Sequence, residues 1–265
     1  MPVLERNNVS VTGQSGATAM LFAHGFGCDQ NMWRFVAPAF EDDHRIVLFD
    51  HVGAGHSDHS AFRREKYATL DGYADDIVEI GRELGLQDAI FVGHSVSAVI
   101  GIIAALKAPG MFSRLILVAP SPCYINDEDG SYIGGFTRAE IEELLDALDK
   151  NHMGWSMNMA PVIMGNPERK ELSDELSNSF CRTNPEIAKH FARTTFLTDA
   201  RELVGRTGLP ALILQCSSDV IAPLSVGSYL HQRMPGSTLV VMQATGHCPN
   251  LSAPEETIAA IRDFL

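Results

Sequence analysis

The sequence predicts an α/β fold: a mostly parallel central sheet with helices on both faces, interrupted by a helical insert. Three observations carry this. Short aliphatic runs bounded by turn residues alternate with helical patterns through the first half. Those runs are continuously apolar, as expected of strands covered on both faces. A stretch with helical patterns only, about 134–198, precedes the return of strand-like runs.

The first two strands are expected at Ala19–His24 and Arg45–Phe49. Leu70, Tyr73, Ile77, Ile80 and Leu84 then repeat at three- and four-residue spacing, and Gly85 follows as a C-cap, which reads as a helix. A strand at Ala89–Gly93 leads into a helix starting at Ser95 that has no polar face until Lys107 and should therefore be buried. Another strand is expected at Arg114–Val118. In the insert, Thr137 and Glu140 form a capping box ahead of Ile141, Leu144, Leu145 and Leu148. Gly154, Gly165, Pro167 and Pro185 punctuate further helices. Strands return at Ala211–Gln215 and Thr238–Met242, and a last helix runs from Pro254 to Leu265. The organisation is one α/β domain, residues 1–133 and 199–265, carrying an insert at 134–198 that can form a lid over the ligand-binding sheet edge.

Composition narrows the function. A chain of 265 residues with 45% hydrophobic and 20% charged residues can bury a sizeable core unaided. A net charge of −13 argues against nucleic acid and anionic membranes as partners. Cys28, Cys123, Cys181, Cys216 and Cys248 form no C-x-x-C pair, so reduced thiols are expected rather than disulfides or a zinc site. Residues 1–16 lack the apolar core of a signal peptide, and Val99–Leu106 is too short to span a bilayer. A cytoplasmic protein is expected.

The strongest local signal is Phe91-Val92-Gly93-His94-Ser95-Val96-Ser97, at a junction from strand to helix. Such a junction is a nucleophile elbow of the G-x-S-x-G type, in which a strained turn presents the serine hydroxyl above the sheet. Ser97 replaces the last glycine, a position that needs a small residue where strand and helix pass closely. A serine nucleophile needs a base, and the base needs an orienting carboxylate. Asp219 and His247 each follow a predicted strand, giving the order Ser95, Asp219, His247. Backbone N–H groups of Phe26, in His24-Gly25-Phe26-Gly27, and of Val96 are the natural oxyanion donors.

The segment Asp50–His59 holds three histidines and two aspartates but no metal-binding frame, and its Gly53 and Gly55 lack the third glycine of a dinucleotide fingerprint. Solvated loop residues are expected there, with no metal and no organic cofactor.

Together these strings resemble the α/β-hydrolases, and closely the RsbQ-like branch, which includes a bacterial stress-response regulator and plant karrikin and strigolactone receptors. The resemblance is carried by His24–Gln30, Trp33, Val36–Phe40, Asp50–Asp58, Thr69–Ala74, Gly93–Ala98, Ser121–Tyr124, Gly134–Phe136, Leu214–Cys216, Asp219 and Gly246–Pro249. Ser97 looks like the plant receptors, and Ser121-Pro122-Cys123-Tyr124 looks more like the bacterial regulator. The resemblance implies an α/β-hydrolase fold with a four-helix lid. It implies Ser95 as nucleophile, His247 as base, Asp219 as its orienter, and Phe26 and Val96 as the oxyanion hole. It also implies an apolar pocket, with Phe26, Phe136, Trp155, Phe191 and Phe196 as contributors. Serine at position 95 argues against the dehalogenase and epoxide-hydrolase variants, which use aspartate there. The expected function is hydrolysis of a small, mainly apolar ester or lactone. The alternative is a small-ligand sensor whose lid binds a partner, in bacteria a PAS-containing phosphatase.

Overall fold

In the computed structural model, which describes residues 1–265, the aliphatic runs form one seven-stranded sheet. The chain begins with a short helix α1 (Val3–Arg6), β1 (Ser10–Gly13), β2 (Ala19–Ala23), β3 (Arg45–Leu48), helix α2 (Leu70–Glu83) and β4 (Ala89–His94). Helix α3 (Val96–Lys107) and β5 (Phe112–Val118) follow, then four helices: α4 (Arg138–Lys150), α5 (His152–Met164), α6 (Lys170–Arg182) and α7 (Pro185–Phe196). The chain ends with β6 (Ala211–Ser218), α8 (Leu224–Arg233), β7 (Ser237–Thr245), α9 (Pro249–Ser252) and α10 (Pro254–Phe264).

The strand order is β1-β3-β2-β4-β5-β6-β7; only β1 runs antiparallel to its neighbour. Four elements lie beyond the sequence reading: the one-turn helices α1 and α9, the strand β1 and the helix α8. The residues of β1 are all exposed, so it has no apolar run to announce it. Helix α8 buries only Val226, Gly227 and Leu230 and lacks a side-chain cap.

The central strands are buried on both faces because alternate side chains enter two different cores. Leu21, Phe91, Leu115 and Ile213 join one core beneath α2 and α3. Phe22, Val92, Ile116 and Leu214 join the other, which extends into α4, α5 and α6. Helix α3 is buried along most of its length, as its missing polar face requires.

The four inserted helices stand at the C-terminal ends of the strands. Thr137 and Glu140 make both bonds of the capping box that starts α4. Helix α6 is tied to the core by the Arg34–Glu175 ion pair and by the Ser179 hydroxyl, which donates to the Gly27 carbonyl at 2.8 Å. His190 in α7 bonds the Tyr67 carbonyl at 2.9 Å. No helix is long and apolar enough to cross a membrane.

Candidate active site

Ser95 is the single residue between β4 and α3. Its φ is +57° and ψ −126°, a conformation that costs a non-glycine residue of order 1–3 kcal/mol. The surroundings enforce it: Ser95 N–H donates to the Val118 carbonyl at 2.9 Å, and Ala98 N–H donates to the Ser95 carbonyl at 3.0 Å. Gly93 lets the helix come down on the strand, since a Cβ there would stand 2.6 Å from the Ser97 carbonyl oxygen.

His247 follows β7 and Asp219 follows β6, so all three side chains meet at one sheet edge. The Ser95 hydroxyl lies 2.7 Å from His247 Nε2, and His247 Nδ1 lies 2.7 Å from Asp219 Oδ2. Asp219 Oδ1 accepts the N–H groups of Ile221 and Ala222 at 2.8 and 3.2 Å. Both carboxylate oxygens are thus occupied. Nδ1–H donates to the carboxylate, which leaves the Nε2 lone pair facing the serine hydroxyl. All three residues are buried, Ser95 to 6% exposure.

Support for His247 comes from two sides. His94 Nε2–H donates to the His247 carbonyl at 2.7 Å. Burial pushes the His94 pKa down to about 3, so the ring is neutral. From α5, the Ile163 carbonyl accepts His247 N–H at 2.9 Å. Gly246, with φ +80°, allows this contact, because a Cβ there would collide with the Met164 carbonyl.

The loop after β2 is held by a second chain of bonds. Ser97 donates to the His24 carbonyl and meets His51 Nε2 at 2.8 Å, while His51 N–H donates to His24 Nε2 at 3.0 Å. Asp50 accepts from Gln30 N–H, Asn8 Nδ2 and His56 N–H. The expectation of solvated residues here is therefore corrected at its start: Asp50, His51, Val52, Gly53 and Ala54 are buried. Burial follows from the position of this loop beneath the site, where most of its polar atoms find partners inside the protein, His51 Nδ1 excepted. The Phe26 N–H makes no backbone hydrogen bond, and the Val96 N–H belongs to the first turn of α3, which leaves its donors without intrahelical partners.

Ser95 and His247 face a small, tight cavity lined mostly by apolar side chains. Phe26, Trp155 and Phe196 line it. Phe136 and Phe191 do not, which corrects their expected place. Phe191 stacks on Tyr73 at 4.3 Å and meets the edge of Phe26, so it sits one layer behind the wall. Phe136 bridges to Ile125 at the base of the insert. Tyr124, Ile163, Leu176, Phe180, Thr195 and Ile221 also line it and lie beyond the sequence reading. For Phe180 the signal was present: Leu172, Leu176 and Phe180 recur every four residues along α6 and are its buried positions. Cys28 and Cys248 also line the cavity, but burial pushes both thiols up, and a protonated thiol is a poor nucleophile.

Family comparison agrees with this architecture. The α/β-hydrolase fold model matches residues 18–254, and the chain belongs to that family. Strigolactone esterase D14 of Arabidopsis thaliana is 40% identical over 264 residues, covering 99% of this chain and 97% of the relative. Karrikin insensitive 2 receptor CA of Petunia hybrida is 38% identical over 260 residues, covering 98% and 95%. The solved structure of a hydrolase from Oleispira antarctica, 42% identical, superposes with a TM-score of 0.95 over 99% of this chain and 95% of that one.

Proposed function

We propose that the chain hydrolyses small, mainly apolar esters or lactones through an acyl-enzyme on Ser95. The observation that carries this reading is the unbroken bond path from the Ser95 hydroxyl through His247 to Asp219 at the floor of an apolar cavity. Ser95 Oγ attacks the substrate carbonyl as His247 Nε2 takes its proton. Asp219 keeps the imidazole in the required tautomer and stabilises the imidazolium. The N–H groups of Phe26 and Val96 stabilise the oxyanion. His247 then protonates the departing alkoxide, and water, activated by the same ring, releases the acid and restores Ser95.

A relative named as an esterase supports this reading, and one named as a receptor favours a second. In the second, the same cavity senses a small ligand, the lid docks a partner such as a PAS-containing phosphatase, and hydrolysis is secondary.

The test is turnover of a short-chain nitrophenyl ester by the wild type and by Ser95→Ala, with folding checked by circular dichroism. The expected loss is about ten-thousand-fold or more. A folded Ser95→Ala protein that keeps its rate would sink the proposal. A folded wild type without turnover would shift the weight to sensing.

A further inference from the structure

Apart from His94 Nδ1, which lies against Gly25, the cavity wall carries three buried polar atoms without a well-formed hydrogen bond in the protein: Tyr124 Oη, which faces Ser95, Trp155 Nε1 and Thr195 Oγ1. A buried donor or acceptor without a partner keeps its whole desolvation cost. Such an atom in a ligand cavity calls for a partner on the ligand.

Thr195 is the most informative of the three. It lies in α7, where the threonines on either side bond back to carbonyls four residues earlier: Thr194 to His190 at 3.1 Å and Thr198, just past the helix end, to Thr194. Thr195 makes no such bond, although it is only 2% exposed. Apart from Thr194, whose hydroxyl is bonded, the other residues that α7 buries nearby, Phe191, Ala192 and Phe196, are apolar. A valine would fill nearly the same space without burying a hydroxyl. The threonine therefore makes sense as a group facing a ligand atom.

We infer that Thr195 determines specificity: its hydroxyl bonds an oxygen of the substrate other than the carbonyl that Ser95 attacks. This rests on the hydrolase reading of Ser95 and narrows its substrate class. The substrate is an ester or lactone with a second acceptor oxygen, such as an ether, alkoxy or ketone oxygen, on the part facing α7. An acceptor suits the whole set, because an indole N–H can only donate and both hydroxyls can donate. A site built for such a bond discriminates against the analogue lacking it, whose binding leaves the group unpaired.

The experiment compares nitrophenyl esters in isosteric pairs, methoxyacetyl against butanoyl and methoxypropanoyl against pentanoyl, together with lactones bearing or lacking a ring alkoxy group. Wild type, Thr195→Val and Thr195→Ser are assayed. The expected result is a wild-type preference in kcat/KM for the oxygenated member of at least one pair, lowered about tenfold in Thr195→Val and kept in Thr195→Ser. The same pairs are read as thermal shifts of the Ser95→Ala protein, alone and combined with Thr195→Val, which reports binding without turnover. No preference for any oxygenated member, or ratios within about twofold in Thr195→Val, would overturn the inference while leaving ester hydrolysis standing. Turnover that persists in Ser95→Ala overturns the hydrolase reading instead, and the thermal shifts still decide the role of Thr195.

Discussion

The two walls of the cavity treat their polar atoms differently. On the sheet side, Ser95, His247 and Asp219 are bonded to one another and to backbone groups, and His94 bonds the loop that carries His247 through Nε2 while its Nδ1 is left unpaired against Gly25. On the side closed by Tyr124, Trp155 and Thr195, a polar atom of each residue is buried with no partner. The first wall has its geometry fixed before any ligand arrives, which is what chemistry at a carbonyl demands. The second has unspent hydrogen-bonding capacity, which is what recognition demands. Changes on the first wall should therefore act on kcat for every substrate, and changes on the second should act on the ratio between substrates.

The sharpest way to break this comparison is Asp219→Asn. An amide keeps the size of the side chain but presents N–H where the Nδ1 proton now points, or frees the ring to take the wrong tautomer. The expected fall in kcat is about a thousand- to ten-thousand-fold, equal across substrates, with the circular dichroism spectrum unchanged. An unchanged rate would mean that another group orients His247.

His94→Asn probes the layer beneath. Removing the ring loosens the His247 carbonyl, and kcat should fall about ten- to a hundred-fold through misplacement of the base. The variant also has a pH signature. His94 is held near pKa 3 in the folded chain against an ordinary value of 6.5. Below about pH 6.5 the unfolded chain takes up a proton that the folded chain refuses, so stability is full above that pH and declines toward about pH 3. One such histidine contributes up to about 1.4 kcal/mol per pH unit. His51, pushed down chiefly by burial, acts in the same direction. Urea unfolding at about pH 7.5 and 5 should show the wild type losing stability on acidification, and His94→Asn losing about 1–2 kcal/mol less. Equal acid sensitivity would show that His94 is not held neutral.

The same contrast explains what was legible in the sequence. The elbow, the residues after β6 and β7, and the strands themselves are local patterns: an aliphatic run, a turn, and a functional residue at a fixed place in that turn. The supports are not local. Nothing in Gly93-His94-Ser95 says that the His94 ring reaches a carbonyl 153 residues away, nor that Ser97 bonds the His24 carbonyl and His51. The cavity wall was least legible, because it depends on how α5, α6 and α7 cross the sheet edge. An aromatic residue in the insert can face the cavity, as Phe180 does, or stack one layer behind it, as Phe191 does on Tyr73. The edge strand β1 left no trace because both of its faces are exposed.

The smallest predicted effect concerns the point where the two walls touch. At the end of α5, Asn166 Nδ2 donates to the Met164 carbonyl at 2.7 Å and to the Thr245 carbonyl at 3.0 Å. Gly165 and Gly246 allow the close approach, since a Cβ on Gly165 would stand 2.9 Å from Gly246 Cα. The insert thus holds the His247 loop as well as covering the cavity. Asn166→Ala removes one of several ties, for His247 keeps its bonds to Ile163, His94 and Asp219. The expected cost is about 1 kcal/mol of stability and a two- to fivefold fall in kcat, the same for oxygenated and hydrocarbon esters. Thermal unfolding and the paired-ester assay check it. A fall that differs between members of a pair would place Asn166 among the recognition groups and blur the division between the walls. A fall of a hundredfold would mean that the lid, more than the core, sets the position of the base. A uniform, small fall keeps the walls distinct: the core orients the base, and the lid steadies its loop from above.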